Sequence, residues 1–104
     1  MNASVKLLVI LVDETDTWQQ IPLYEAIVRR LQQLDIAGAT VQLGVMGFGS
    51  HMKVHRKRLF GISDDRPVTI LVADSESRLR RILPEIRGMV REGLLVLLDA
   101  ELIV

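Results

Sequence analysis

Val5–Val12 is a near-continuous apolar run of Val, Leu and Ile, broken only by Lys6. In a strand, successive side chains point to opposite faces, so a run of this kind is apolar on both. Leu7, Val9 and Leu11 fall on one side, and Leu8, Ile10 and Val12 on the other. Whatever fold this chain adopts must therefore cover both faces of its first strand. Every other element has to be judged by whether it can do so.

Two segments have the pattern of covering helices. Leu23, Ile27, Leu31 and Leu34 recur at helical spacing, with Pro22 suited to the first turn and Gly38 to a left-handed stop. Glu25, Arg29, Gln32 and Gln33 lie off that stripe and are expected in water. Leu79, Ile82, Leu83, Ile86 and Val90 form a second stripe, capped by Asp74 or Ser75 and expected to kink at Pro84. Between them, Thr40–Val45 alternates with period two, Val41, Leu43 and Val45 opposite Thr40, Gln42 and Gly44. Val68–Ala73 and Leu94–Leu98 read as further apolar strands, and Ala100–Val104 can extend the last. The order is strand, helix, strand, strand, helix, strand. That predicts one α+β, ferredoxin-like βαββαβ domain over residues 1–104, with a four-stranded antiparallel sheet and two helices on one face. Two helices cover one face of four strands. The other face, apolar in the first and last strands, is expected to bury itself against copies of the same chain. The bland alternative is that the C-terminal residues fold back over it.

Charge and composition narrow the function. Lys plus Arg and Asp plus Glu number 13 each, so there is no net basic excess to hold nucleic acid. An RNA-recognition sheet would stack bases on aromatic residues, and Val5–Val12 and Val68–Ala73 contain none. There is no cysteine, hence no disulfide frame or thiolate metal site. No secretory-type leader follows Met1 and no apolar run is long enough to span a bilayer, so a cytoplasmic location is expected. No nucleophile–base pair, carboxylate pair or metal set is evident, which predicts a protein that is not an enzyme and carries no cofactor.

The segment with most functional content is the glycine-rich turn and basic loop from Gly44 to about Ser63. Gly47 and Gly49 either cradle an anion with backbone N–H groups or simply allow the strand to become a loop. Lys53, His55, Arg56, Lys57 and Arg58 either grip a phosphate or partner, or form the wet face of a hairpin. His51 and His55 have the spacing of a helical metal pair, but Val54 and the nearby glycines favour extended chain. Asp13, Glu14 and Asp16 form either an acidic catalytic or magnesium cluster, or a polar turn leading into a helix. Trp18 is the sole tryptophan, placed to stack on a partner or to cover the core edge.

Gly47-Phe48-Gly49, at the end of a strand and opening a long loop within βαββαβ, resembles the start of the T-loop in PII signalling proteins. Pro22-Leu23-Tyr24-Glu25-Ala26-Ile27-Val28, Gly38-Ala39-Thr40-Val41 and Gly47-Phe48-Gly49 together are similar to a family of small PII-like proteins, domain of unknown function number 190. The resemblance spans nearly the whole chain. It implies a homotrimer with sheets packed inward, and a nucleotide or other small anion bound between subunits. The implied ligand residues are Gly47, Phe48, Gly49, Ser50 and His51, with Arg91, Glu92 and Gly93 as a second loop. Lys53, His55, Arg56, Lys57 and Arg58 would then reach a partner. Relatives found beside or fused to fluoride-exporter proteins imply a membrane transporter as that partner, either signalled to or bound as a purely structural companion. After Gly49, PII proteins typically have Arg-Gln where this chain has Ser50-His51, and Leu94 replaces a lysine. A ligand smaller or less charged than ATP is thus implied as readily as ATP.

Overall fold

The computed structural model describes residues 4–48 and 66–104, together with the backbone of residues 58–59 and 62–63. Its main sheet has four strands: β1 (Val5–Asp13), β2 (Thr40–Leu43), β3 (Pro67–Ser75) and β4 (Leu94–Ala100). They lie in the order β2-β3-β1-β4, and every neighbouring pair is antiparallel. The helices are α1 (Leu23–Gln33) and α2 (Glu76–Met89). This is the expected α+β, ferredoxin-like arrangement.

Both helices pack on one face. Leu8, Ile10 and Val12 of β1 and Val68, Ile70 and Val72 of β3 are buried there. They meet Leu23, Ala26, Ile27 and Leu31 of α1 and Leu79, Ile82, Ile86 and Met89 of α2. No polar or charged residue is buried among the described residues, so this core rests on apolar burial alone. The two helices are also joined at the surface, where the Arg30 guanidinium donates to the Glu85 carboxylate.

Several local details refine or depart from the sequence expectation. Helix α1 stops before Gly38, at Leu34, and the left-handed residue is Asp35, with φ 64°. Ile36 N–H donates to the Leu31 carbonyl and Asp35 N–H to the Gln32 carbonyl, while Leu31 and Ile36 are both buried. That is a Schellman closure with its hydrophobic contact, and aspartate tolerates the left-handed backbone well enough to serve. Pro22 is the residue before the first helical turn rather than within it. Strand β2 ends at Leu43, so Val45 lies beyond it and is exposed. Ser75 is the cap of α2, its Oγ accepting from Arg78 N–H at 3.3 Å. Helix α2 runs through Pro84, which sits on its exposed side. Leu83 and Val90 are half-buried at the core margin. The last strand runs two residues past Leu98 and ends at Ala100, so Glu101–Val104 do not extend it.

The opposite face of the sheet is open. Register puts Leu7 between Ala73 and Leu98, Val9 between Leu71 and Val96, and Leu11 between Thr69 and Leu94. Leu94, Val96 and Leu98 are 56, 38 and 45% exposed. Leu102, Ile103 and Val104 are themselves exposed, so the C-terminal residues do not shelter this face.

Two outcomes follow from this architecture. Gly93 has φ +157°, and a Cβ there would lie 2.4 Å from the Leu11 carbonyl oxygen. Gly93→Ala should lower the urea midpoint, at a cost of about 1–3 kcal/mol, because the obstacle is backbone and cannot swing away. The second concerns acid. Lys6 holds the Asp99 carboxyl below its ordinary range, and Arg80 with Ser4 does the same for Glu76. Carboxyl groups lowered by folding contribute stability that is complete above their unfolded pKa and lost as pH falls through the folded one. The urea midpoint should therefore fall between about pH 5 and pH 3, and less steeply in Asp99→Asn.

Candidate functional site

One end of the sheet collects the candidate residues. There β1 ends at Asp13 opposite Pro67, β2 ends at Leu43 opposite Val68, and β4 begins at Leu94 opposite Leu11. The segments leaving this end are the glycine-rich turn after β2, the polar turn after β1, and Arg91–Gly93 before β4.

The glycine-rich turn lies flat against Pro67. Gly44 N–H donates to the Pro67 carbonyl at 2.7 Å, extending the β2–β3 ladder by one bond. A Cβ on Gly44 would lie 2.6 Å from Pro67 Cγ and 3.1 Å from its carbonyl oxygen, and one on Gly47 would lie 3.2 Å from Pro67 Cγ. Close approach to a proline ring thus accounts for two of these glycines without a ligand. Val45 and Phe48 project outward, 92 and 86% exposed. Gly49, Ser50, His51, Lys53, His55, Arg56 and Lys57 lie outside the described residues. Of Arg58 only the backbone is described; with Leu59 it pairs antiparallel to Ile62–Ser63.

The acidic turn after β1 is tied up in its own backbone. Asp13 Oδ1 accepts from Thr15 N–H at 3.0 Å and from Thr15 Oγ1 at 2.9 Å, and Asp16 Oδ2 accepts from Asp13 N–H at 3.0 Å. Glu14 N–H donates to the Arg66 carbonyl, and the Glu14 carboxylate lies 3.5 Å from Arg66 Nε. This favours the polar-turn account of Asp13, Glu14 and Asp16. Among the described residues, no group of three or more His, Asp or Glu is placed to hold a metal ion.

Beyond that turn the chain makes a ribbon that sequence alone did not reveal. Thr17–Trp18 pairs antiparallel with Ile21–Pro22, and Gln19 and Gln20 turn it with φ of 49° and 74°. Asn-Gly is the usual signal for such a turn, and Gln-Gln carries none. Leu23 N–H donates to the Asp16 carbonyl at 2.8 Å, pinning the ribbon to the start of α1. Trp18 is therefore half-buried against the core rather than loose in a loop.

Between this ribbon and the end of α2 opens a cleft of about 690 Å³, lined by Thr15–Gln19, Leu23, Met89, Arg91 and Glu92. Arg91 and Glu92, expected at a ligand site, thus share a cleft with Trp18. They do not share one with Gly47. Within one chain, β3 and β1 separate the glycine turn from Arg91–Gly93, because β2 and β4 are opposite edges of the sheet. Gly93 is accounted for by its contact with the Leu11 backbone.

Comparison with known proteins agrees with the fold. Residues 5–102 match the model of the DUF190 family, described as "Uncharacterized ACR". The chain is 32% identical over 98 residues to a UPF0166 protein of Aquifex aeolicus, covering 94% of this chain and 92% of that one. It is also 32% identical over 95 residues to a UPF0166 protein of Methanocaldococcus jannaschii, covering 90% and 87%. Among solved structures, the divalent ion tolerance protein CutA1 of Ehrlichia chaffeensis superposes with a TM-score of 0.64 at 11% identity, covering 98% of this chain and 86% of that one. The chain belongs to the DUF190 family, and its ferredoxin-like fold is similar to that of CutA1.

The packing of the glycine turn is open to a direct check. Gly44→Ala should destabilise the protein by about 1–3 kcal/mol. In the Pro67→Ala background the added cost should shrink, since the ring contact is gone and only the carbonyl contact remains. Urea denaturation of the two single variants and the double variant measures that coupling.

Proposed function

We propose that this protein is a homotrimeric, PII-like regulatory or sensor protein that binds a small anion, a nucleotide being one candidate, in grooves between its subunits. The basic loop would carry the state of the groove to a partner, for which the family resemblance suggests a membrane transporter. A cytoplasmic location and the absence of catalysis belong to the same reading.

One observation carries it: the open apolar face bounded by two edges that are unpaired among the described residues. Leu7, Val9, Leu11, Leu71, Leu94, Val96 and Leu98 share that face, and nothing in the described chain covers it. Exposed apolar surface of this extent is the mark of an interface, and free strand edges invite pairing. The strand directions add support. Strands alternate from β2 to β4, so the β2 of a second copy can lie antiparallel beside β4 and continue the alternation. Such a junction would bring the end of β2 beside the start of β4. Gly47 and Phe48 of one copy would then face Arg91 of the next, which no single chain can arrange. Exposed Val45 and Phe48 would gain an apolar neighbour in Leu94. The number three comes from the PII resemblance.

Light scattering after gel filtration tests the assembly. The parent chain should run as a trimer, and Val96→Glu, which places a carboxylate in the middle of the open face, should run as a monomer. A monomeric parent chain would end the proposal. Calorimetry against ATP, ADP, AMP, cyclic nucleotides and bicarbonate tests the ligand. Silence across that panel with the trimer intact removes the small-molecule part and leaves a structural companion of a partner protein.

A further inference from the structure

We propose that α2 of one copy docks, through its Leu83–Arg87 flank, into an apolar groove that α1 and β2 of the next copy leave open. This rests on the assembly proposed above and adds a helix-side half to its seam.

The groove follows from topology. Helix α1 leads from β1 to β2 and α2 from β3 to β4, so on their shared face α1 lies toward the β2 edge and α2 toward the β4 edge. Register sets Val41 opposite Ile70 and Leu43 opposite Val68, which puts both on the face that the helices cover. Yet Val41 and Leu43 are 39 and 47% exposed, so α1 does not reach over the edge strand. Leu95 and Leu97, at the other edge, are half-buried against the core. The flank of α1 above β2 is apolar as well. Arg30 is bonded to Glu85, which marks the side of α1 turned to α2. Two residues are about 200° of helix, so Val28 and Gln32 lie on the opposite flank, with Tyr24 about one turn before Val28. Tyr24 and Val28 are half-buried. The groove thus has Val41 and Leu43 as its floor and Tyr24 and Val28 as its wall.

The same geometry identifies what fits there. Glu85 marks the side of α2 turned to α1, so Leu83 and Arg87, two residues away in either direction, lie on the flank toward the β4 edge, with Arg80 about one turn before Leu83. Where β4 of one copy lies beside β2 of the next, that flank comes over Val41 and Leu43. The two helices then run antiparallel, because α2 ends and α1 begins at the same end of the sheet. Arg87 is level with Tyr24, Leu83 with Val28, and Arg80 with Gln32. Leu83 supplies apolar contact, and the stems of Arg80 and Arg87 extend over the groove with their heads in water. Arg87 takes part in no ion pair among the described residues, which leaves its guanidinium available to lie over the Tyr24 ring. The receiving flank, Tyr24, Val28 and Gln32, carries no cation to oppose it. A helix of another protein would have to displace one that the strand junction already holds within reach.

The chain contains no cysteine, so introduced thiols report this contact alone. Tyr24→Cys combined with Arg87→Cys, and separately Gln32→Cys combined with Arg80→Cys, are treated with a short bis-maleimide cross-linker and sized under denaturing conditions. Circular dichroism and light scattering on the untreated variants check fold and assembly. Both pairs should give covalent dimers and trimers, while each single variant stays at one chain. Arg29→Cys combined with Arg81→Cys, away from both flanks, should also stay at one chain. The docking is overturned if the untreated variants are trimeric and neither pair links chains, or if the Arg29 and Arg81 pair links them as readily. In that case the assembly stands without this contact. A parent chain that is itself monomeric overturns the assembly and the docking together.

Discussion

Four strands offer two faces, and two helices can dress only one of them. In this protein the dressed face is apolar at its centre, with Leu8, Ile10, Val12, Val68, Ile70 and Val72 there and no buried polar group beside them among the described residues. Such a core is held by area removed from water, at roughly 25 cal/mol per Å² of apolar surface, and needs no directional contact to be stable. What it cannot do is use the other side of the same strands. Every residue of β1 that builds the core alternates with one that is equally apolar and faces away. The sequence thus commits the chain to an unsheltered surface at the same moment that it commits it to a core.

That commitment is why the architecture was legible before any coordinates. The double-faced run at Val5–Val12, the helical stripes at Leu23–Leu34 and Leu79–Val90, and the alternation at Thr40–Leu43 each carry a period that only one element satisfies. The misses are of another kind. Asp35, not Gly38, adopts the left-handed closing position, because the Schellman bonds and the Leu31–Ile36 contact reward stopping there, and aspartate can bear the backbone. The Gln19–Gln20 turn had no compositional signal, since glutamine is not a residue that announces a positive φ. Both are cases where tertiary contacts chose the position and the local residue merely tolerated it.

The candidate site divides in the same way. Residue types could say that Gly44, Gly47 and Gly93 were unusual, but not why. The neighbours decide that: Pro67 for the first two and the Leu11 backbone for the third, all within a distance that a side chain would violate. Asp13 and Asp16 could be read along the chain as a reactive cluster or as a polar turn, and in three dimensions their carboxylates accept from the backbone of their own turn. Conversely, nothing in the spacing of Trp18 and Arg91 along the chain hinted that they line one cleft. They meet because β1 ends and β4 begins at the same end of the sheet, with the start of α1 and the end of α2 above them.

Strand count has a further consequence for how the two halves of the site relate. A sheet of four alternating strands has edge strands that run in opposite directions, here β2 and β4. Joined head to tail, copies of an even-stranded sheet meet antiparallel; an odd-stranded sheet would meet parallel, with poorer hydrogen-bond geometry. Because β2 ends and β4 begins at the same end, any such junction necessarily sets the turn after β2 against the turn before β4. The glycine turn and Arg91 do not meet within one chain. In such a junction their separation across one sheet would place them on either side of the seam, so a groove there would exist only between copies. Assembly and ligand binding would then be linked by topology, without any hinge or moving element.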